Sequence, residues 1–279
     1  MKKLKLIYDS GCDLDRETSE KLGAVQVPLT IRVDDKIYVD DENMDIRELI
    51  AHLKTVKGST SSACPSPEDY KKHFEKDAMN FVVTLSSQLS GSYNSAVVGK
   101  NLYLEENPDA QVDIIDSKNA SCGEALVALK VAEFYEEGLS FEKIKEKIRE
   151  YIDNDMKTYF IIDSMDNLIK TGRVGSFKGL VAKMLSIVPI MQSNDGNIEL
   201  AEKVRGAKKA FSRLIEMLGE QGLNMEETVL GISHCNAFEK AKAIKDEIVK
   251  KYNFKEVLIY ETKGLSTFYA GDGGIVVSY

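Results

Sequence analysis

The sequence predicts an α/β fold with a mostly parallel sheet in its first half, and three apolar segments indicate it. Residues 4–8, 81–85 and 112–115 each have the short apolar pattern of a buried strand. Each segment ends in a turn rich in Asp and Ser and leads into a helical pattern, an alternation typical of α/β proteins. Because the carboxyl ends of parallel strands share one edge of the sheet, we expect these turns to converge on one crevice.

Helical patterns follow the strands of the first half. The polar segment 57–66 is predicted to be a loop, which ends with Ser66 as a helix N-cap and Pro67 at the first helical position. A further helix is expected after the turn around Gly91, continuing through Leu102. The other predicted helices cover residues 46–53, 67–74, 124–137 and 141–151.

A long amphipathic helix ends and a strand-like segment begins near residues 154–157, which predicts a boundary between residues 1–155 and 156–279. In the second part, Asp195-Gly196 between apolar runs is a strong hairpin signal. Helices are predicted at 207–218 and 237–249, and strands at 158–162, 229–232, 257–260 and 275–277.

Composition excludes several classes of function. A net charge of −8 argues against a nucleic-acid-binding protein or one that binds anionic membranes. No apolar run approaches the roughly 18–20 residues of a membrane span, and the first residues lack a signal-peptide core. We therefore expect a cytoplasmic protein.

The sequence also lacks the usual marks of a metal or cofactor site. Four scattered cysteines form no Cys-x-x-Cys pair, so we expect free thiols and no zinc site. No nucleotide-binding glycine motif and no Gly-x-Ser-x-Gly motif occurs, and the three histidines suggest no catalytic triad. We predict neither a metal nor a cofactor.

The turn Ser90-Gly91-Ser92 is the strongest candidate site. A strand that enters a helix through a Ser/Gly turn leaves backbone N–H groups at the helix start, where the helix dipole favours an anion. The alternative is that Ser90 or Ser92 merely caps the helix.

A single arginine and a cluster of basic residues are also candidates for contacting an anion or a partner. Arg173 lies in a turn, and arginine suits bidentate recognition of a phosphate or carboxylate, although it could equally be a solvated surface residue. A basic cluster is either a solvated face or a contact for an acidic partner; it consists of Lys203, Arg205, Lys208 and Lys209.

Several motifs together resemble the DegV family, bacterial proteins that bind a long-chain fatty acid. They span nearly the whole chain and comprise Asp9-Ser10-x-Cys12-Asp13-Leu14, Pro65-Ser66-Pro67, Leu85-Ser86-Ser87-x-Leu89-Ser90-Gly91-Ser92-Tyr93, Asp116-Ser117 with Gly123, Gly172-Arg173, Pro189-Ile190 with Asp195-Gly196, and Arg205 before Lys208-Lys209. The resemblance implies a two-lobed fold, with a mostly parallel sheet flanked by helices in residues 1–155 and a mixed sheet in the α/β lobe of residues 156–279. It also implies a tunnel for the acyl chain between the lobes.

The resemblance further implies the residues that hold the fatty-acid carboxylate. These are the hydroxyls of Ser62 and Ser90, with Gly91 and Ser92 beside them. The family often has a histidine where this sequence has Tyr269, whose hydroxyl donates a hydrogen bond but carries no positive charge.

The resemblance implies a carrier rather than an enzyme. Characterised relatives present the acid to an ATP-dependent fatty-acid kinase, so Arg173 and Arg205 become candidates for contacting the kinase or the acyl phosphate. Two alternatives remain: a serine-dependent hydrolase or phosphotransferase, and a binding protein for another small anionic amphiphile.

Overall fold

Three β-sheets with helices packed on them organise the chain in this computed structural model, which describes residues 2–162, 164–174, 187–222 and 224–279. The predicted α/β class is confirmed. The first two sheets have four and six strands, and a small third sheet has three.

The four-stranded sheet is entirely parallel, as predicted for the first half. Its strands in chain order are β1 (Lys3–Asp9), β2 (Val25–Val27), β6 (Ala78–Thr84) and β7 (Gln111–Asp116). The spatial order is β2-β1-β6-β7. The loops after β1 and β6 therefore leave neighbouring strands at the point where the strand order changes direction, the usual place for a ligand in such sheets.

Helices cover both faces of this sheet. Side chains alternate along each strand, so Ile7 and Val82 pack against the helices on one face, while Leu6 and Phe81 belong to a cluster on the other. The helices of this half are α1 (Arg16–Leu22), α2 (Ile46–Thr55), α3 (Pro67–Lys71), α4 (Ser92–Glu106), α5 (Cys122–Glu136) and α6 (Phe141–Glu150). A short π-helical segment, Tyr151–Asp155, extends α6.

The six-stranded sheet is mixed. Its strands are β8 (Thr158–Ile161), β9 (Ile187–Asn194), β10 (Asn197–Arg205), β11 (Val229–His234), β12 (Glu256–Glu261) and β13 (Ile275–Ser278). The order is β10-β9-β8-β13-β11-β12, in which β11 and β12 are parallel and the other pairs antiparallel. The predicted hairpin is confirmed: Asp195 and Gly196 join β9 to β10 with φ angles of 46° and 80°.

The helices of the second half follow the predicted pattern closely at α8 (Ala207–Leu218) and α9 (Phe238–Lys251). Two further helices are α7 (Asp166–Lys170) and α10 (Gly264–Ala270). Single turns of 3₁₀-helix occur at Gly219–Gln221 and Met225–Glu227. Among the described residues, no helix is both long and apolar enough to cross a bilayer.

The third sheet corrects one expectation from the sequence. It is antiparallel, has the order β4-β3-β5, and consists of β3 (Thr30–Val33), β4 (Lys36–Val39) and β5 (Thr60–Ala63). Strand β5 lies in the segment predicted to be a loop. Its sequence Thr-Ser-Ser-Ala has no apolar alternation, and it becomes a strand because it pairs with β3, where Ile31 faces Ser62.

Candidate ligand-binding site

The loop after β6 is folded so that the hydroxyl of Ser90 is oriented by the backbone. The Ser86 carbonyl accepts hydrogen bonds from the N–H groups of Leu89 and Ser90, both at 3.0 Å. The Ser90 Oγ in turn accepts the N–H of Ser92 at 3.2 Å. Because this bond uses Ser90 as an acceptor, its hydroxyl proton remains to be donated to a ligand.

Helix α4 begins beside this hydroxyl. Its N-cap residue is Gly91, which has no side chain with which to cap the helix. Ser92 is fully buried, and its Oγ donates to the Asp9 carboxylate and is 2.5 Å from the Tyr70 hydroxyl oxygen. The structure therefore turns the Ser92 side chain into the protein, while its backbone N–H orients Ser90.

Ser62 and Tyr269 come together from distant parts of the sequence. Ser62 lies on the edge strand β5 and Tyr269 on α10, and the Ser62 Oγ is 2.8 Å from the Tyr269 hydroxyl oxygen. Either atom can be the donor, so the pair can still offer one proton to a third group. No pattern within the sequence itself indicates this contact, which spans 207 positions.

Arg173 lies against this pair and next to the Ser90 loop. Its Nε donates to the Leu89 carbonyl at 2.9 Å, and its guanidinium carbon is 5.3 Å from the centre of the Tyr269 ring. Arg173 is half-buried, and the residues from 175 to 186 that follow its turn lie outside the described part of the chain. It supplies a positive charge beside a tyrosine that carries none.

Arg205, the other arginine singled out from the sequence, is in a different place. It is exposed at the end of β10; Lys203 is exposed on the same strand, and Lys208 and Lys209 are exposed at the start of α8. Arg205 is not among the residues that line the cavity beside Tyr269 and Arg173.

A cavity of about 110 Å³ with mainly apolar walls adjoins the cluster around Tyr269 and Arg173, and Ser62, Ser90, Gly91 and Ser92 are not among the residues that line it. Arg173 and Tyr269 form part of its lining. Gly11, Leu85 and Ala120 line it as well, so loops that follow β1, β6 and β7 all reach the same cavity. The six-stranded sheet and its connections contribute Phe160, Ile162, Leu168, Ile198 and Val276.

Three carboxyl groups are buried just behind the cavity wall. Burial raises the pKa of Asp9 and Asp13, and burial together with the nearby Asp9 charge raises that of Glu124 well above its usual value. Asp13 accepts the Ser121 hydroxyl at 2.5 Å and the Lys263 N–H at 2.9 Å. Sequence reasoning assigned these acids no role, although Asp9 is the last residue of β1 and Asp13 lies in the turn that follows it.

Within the described ranges, no group of three or more His, Cys, Asp or Glu side chains is arranged to hold a metal ion. Among the residues that the structure describes, the polar side chains that line the cavity carry hydroxyls, the Asn119 carboxamide and the Arg173 guanidinium. Such a donor set suits an anion, and the walls suit an apolar chain.

The fold and the cavity define an α/β protein with a mainly apolar cavity beside a cluster of hydroxyl groups and a guanidinium. The chain belongs to the DegV family: the family model described as "Uncharacterised protein, DegV family" matches residues 3–279.

Solved structures and curated relatives agree with this assignment. A DegV family protein from Ruminococcus gnavus, refined with vaccenic acid, is 38% identical with a TM-score of 0.94, and the match covers 99% of each chain. The Streptococcus pneumoniae Fatty Acid Kinase (Fak) B3 protein, loaded with linoleic acid, is 34% identical with a TM-score of 0.88 and 99% coverage of each chain. A DegV domain-containing protein of Streptococcus pneumoniae R6 is 34% identical over 99% of this chain and 98% of its own length.

Proposed function

We propose that this protein binds one long-chain fatty acid and presents its carboxyl group to a fatty-acid kinase. The observation that carries the proposal is that Arg173 and Tyr269 line an apolar cavity, while Ser62 contacts Tyr269 and the loop that carries Ser90 contacts Arg173. The fatty acids in the DegV structures from Ruminococcus gnavus and Streptococcus pneumoniae support it.

In this proposal the carboxylate lies among the hydroxyls of Ser62 and Ser90, beside Gly91 at the start of α4. Arg173 contributes the positive charge that Tyr269 lacks, since the guanidinium lies against the tyrosine ring. The acyl chain runs into a tunnel between residues 1–155 and 156–279, and the apolar cavity forms part of that tunnel.

The acyl chain and the carboxylate should contribute differently to the binding free energy. Burial of an acyl chain contributes roughly 0.8 kcal/mol for each CH₂, or about 10 kcal/mol for a palmitate-sized chain before ordering costs. A hydrogen bond to a charged group contributes only about 1.5–3 kcal/mol. We infer that the chain sets the affinity and that the polar cluster sets the orientation.

We propose further that the protein is a carrier without turnover of its own. A hydrolase would need a base at Ser90, but that hydroxyl is oriented by the Ser92 amide. His52 contacts Tyr38 and His234 contacts the Ala237 amide, and neither lines the cavity.

We also propose a cytoplasmic location and a kinase contact at the exposed basic cluster around Arg205. Four free cysteines fit a reducing compartment. The cluster's exposure and charge suit an acidic partner surface, and the name of the pneumococcal relative points to a kinase.

Two measurements test the proposal. Mass spectrometry of organic extracts from protein purified without added lipid should recover a long-chain fatty acid, and titration with palmitate should give one-to-one binding. Recovery of only a phosphorylated or sugar-like compound, with no palmitate binding, would contradict it.

The partner is tested by adding ATP and a fatty-acid kinase from the same cell, which should yield acyl phosphate only when both proteins are present. Arg205→Ala should impair this reaction while palmitate affinity stays within about 2-fold of the wild type, because Arg205 lies outside the cavity. Ester hydrolysis by the isolated protein that disappears in Ser90→Ala would favour the enzyme instead.

A further inference from the structure

A fully buried carboxylate lies directly behind the Ser90 loop. Asp9 accepts hydrogen bonds from the N–H groups of Gly11 and Leu85, each at 2.9 Å, and from the Ser92 hydroxyl. It thereby connects the end of β1 with both ends of the loop that carries Ser90. A carboxylate is an acceptor only, so three donors pointing at one Asp are matched by its ionised form.

A second carboxyl group lies close to the first. Glu124 is fully buried in the first turn of α5, and no donor group among the described residues reaches either of its oxygens; its hydrogen-bonding neighbour is the Asp9 carboxyl group. A Cβ placed on Gly11 would be 3.0 Å from Asp9 Oδ1 and 3.1 Å from Glu124 Oε2, so both carboxyl groups adjoin the same glycine.

Two adjacent buried carboxylates would repel each other, and only one of the two is compensated by donors. Asp9 has three donors, whereas Glu124 has none, so the proton belongs on Glu124. The pKa of Glu124, raised by burial and by the Asp9 charge, agrees with that assignment.

We propose that Asp9 is a positioning residue for the carboxylate site: ionised beside a neutral Glu124, it fixes Leu85 and Ser92 on either side of Ser90 and thereby sets the direction in which Ser90 donates. The link is the Ser92 residue, whose hydroxyl is held by Asp9 and whose N–H is accepted by Ser90. Asp9 does not touch the ligand. This inference rests on the proposed fatty-acid binding.

A comparison of two ligands with the same chain separates positioning from general structural support. Hexadecanoic acid places a charged carboxylate among the anion donors and its chain in the cavity, whereas hexadecan-1-ol has the same chain but an uncharged head group. Asp9→Asn places an amide N–H₂ group among other donors. The affinity for hexadecanoic acid should fall about 10-fold, while the affinity for hexadecan-1-ol should change by less than about 2-fold.

Glu124→Gln is the matched control, because an uncharged amide replaces a neutral carboxyl of the same shape. It should leave both affinities within about 2-fold of the wild type. In a Ser90→Ala background, Asp9→Asn should lose most of its effect on the acid, because the two residues act through the same hydroxyl.

The outcomes separate the two proposals. Equal losses for acid and alcohol in Asp9→Asn, or additivity with Ser90→Ala, would overturn the positioning role alone. A wild type that binds no hexadecanoic acid would overturn the proposed function and this inference with it. If Asp9→Asn does not fold, Ser92→Ala breaks the same link, and unchanged acid affinity in that variant would overturn the proposal.

Discussion

The polar cluster and the apolar wall of the cavity are built in different ways. The cluster needs Ser62, Ser90, Arg173 and Tyr269, which come from four separate segments and are fixed by individual hydrogen bonds and ring contacts. The wall needs only side chains of suitable size and polarity, and both large sheets supply them. The difference suggests that the cluster tolerates little change, whereas the wall tolerates substitutions that conserve volume.

Shortening the acyl chain should have the largest effect, because it removes apolar contact and leaves the polar cluster intact. Dodecanoic acid has four CH₂ groups fewer than hexadecanoic acid, so its affinity should be lower by about 3 kcal/mol, or roughly 200-fold. Calorimetric titration of both acids measures this. A difference below about 5-fold would show that the wall contributes little.

Removal of the positive charge of Arg173 should have the second-largest effect on fatty-acid affinity. Arg173→Ala should weaken fatty-acid binding by about 1.5–3 kcal/mol, since it removes a charged donor beside Tyr269. Arg173→Lys, which keeps the charge but loses the planar contact with Tyr269, should fall between the alanine variant and the wild type. Arg205→Ala is the control for loss of an arginine elsewhere, and wild-type affinity in Arg173→Ala would contradict this role.

The two serines should have smaller and similar effects. Ser62→Ala and Ser90→Ala should each weaken binding by about 1–2 kcal/mol, and each should lower the unfolding free energy of the ligand-free protein by at most about 1 kcal/mol, because each also removes one part-buried hydrogen bond within the protein. Ser61→Ala, an exposed serine on the same strand as Ser62, is the matched control. If Ser90 only stabilises the start of α4, the variant should lose about 1 kcal/mol of stability but keep its affinity.

The stability of the protein should depend on pH through Asp40, which holds the helix that carries Tyr269. Asp40 accepts the N–H groups of Gly264 and Leu265 at the start of α10, which carries Tyr269, and burial raises the pKa of Asp40 to about 6. A raised pKa means that the folded state favours the protonated form. The contribution of this group to the unfolding free energy is therefore greatest at low pH and is lost as pH rises through about 6.

Asp40→Asn removes this titration. From pH 5 to pH 7, the wild type should lose about 1 kcal/mol of unfolding free energy relative to the variant, as measured by urea denaturation at each pH. Parallel pH profiles for the two proteins would contradict the assignment.

Sequence reasoning predicted the elements whose signal is local. The parallel strands β1, β6 and β7 are apolar runs, and the β9–β10 hairpin follows from Asp195-Gly196. Strand β5 and helix α10 were not predicted, because β5 is polar and depends on pairing with β3, and α10 is a seven-residue helix in a Gly-rich region.

The same distinction holds at the site. A local strand–turn–helix pattern predicts the Ser90 turn as a site, whereas only the resemblance to the DegV family indicates Ser62 and Tyr269 as site residues. Their mutual contact depends on how two sheets and α10 pack. The inward orientation of Ser92 depends on Asp9, 83 positions earlier, and no local pattern contains that information.

A crystal structure of the protein with hexadecanoic acid tests the central claim most directly. The account predicts the carboxylate oxygens within hydrogen-bond distance of the Ser62 and Ser90 hydroxyls, with Arg173 beside them and the chain along Phe160, Leu168 and Val276. A carboxylate placed away from both serines, or a chain lying outside this cavity, would contradict it.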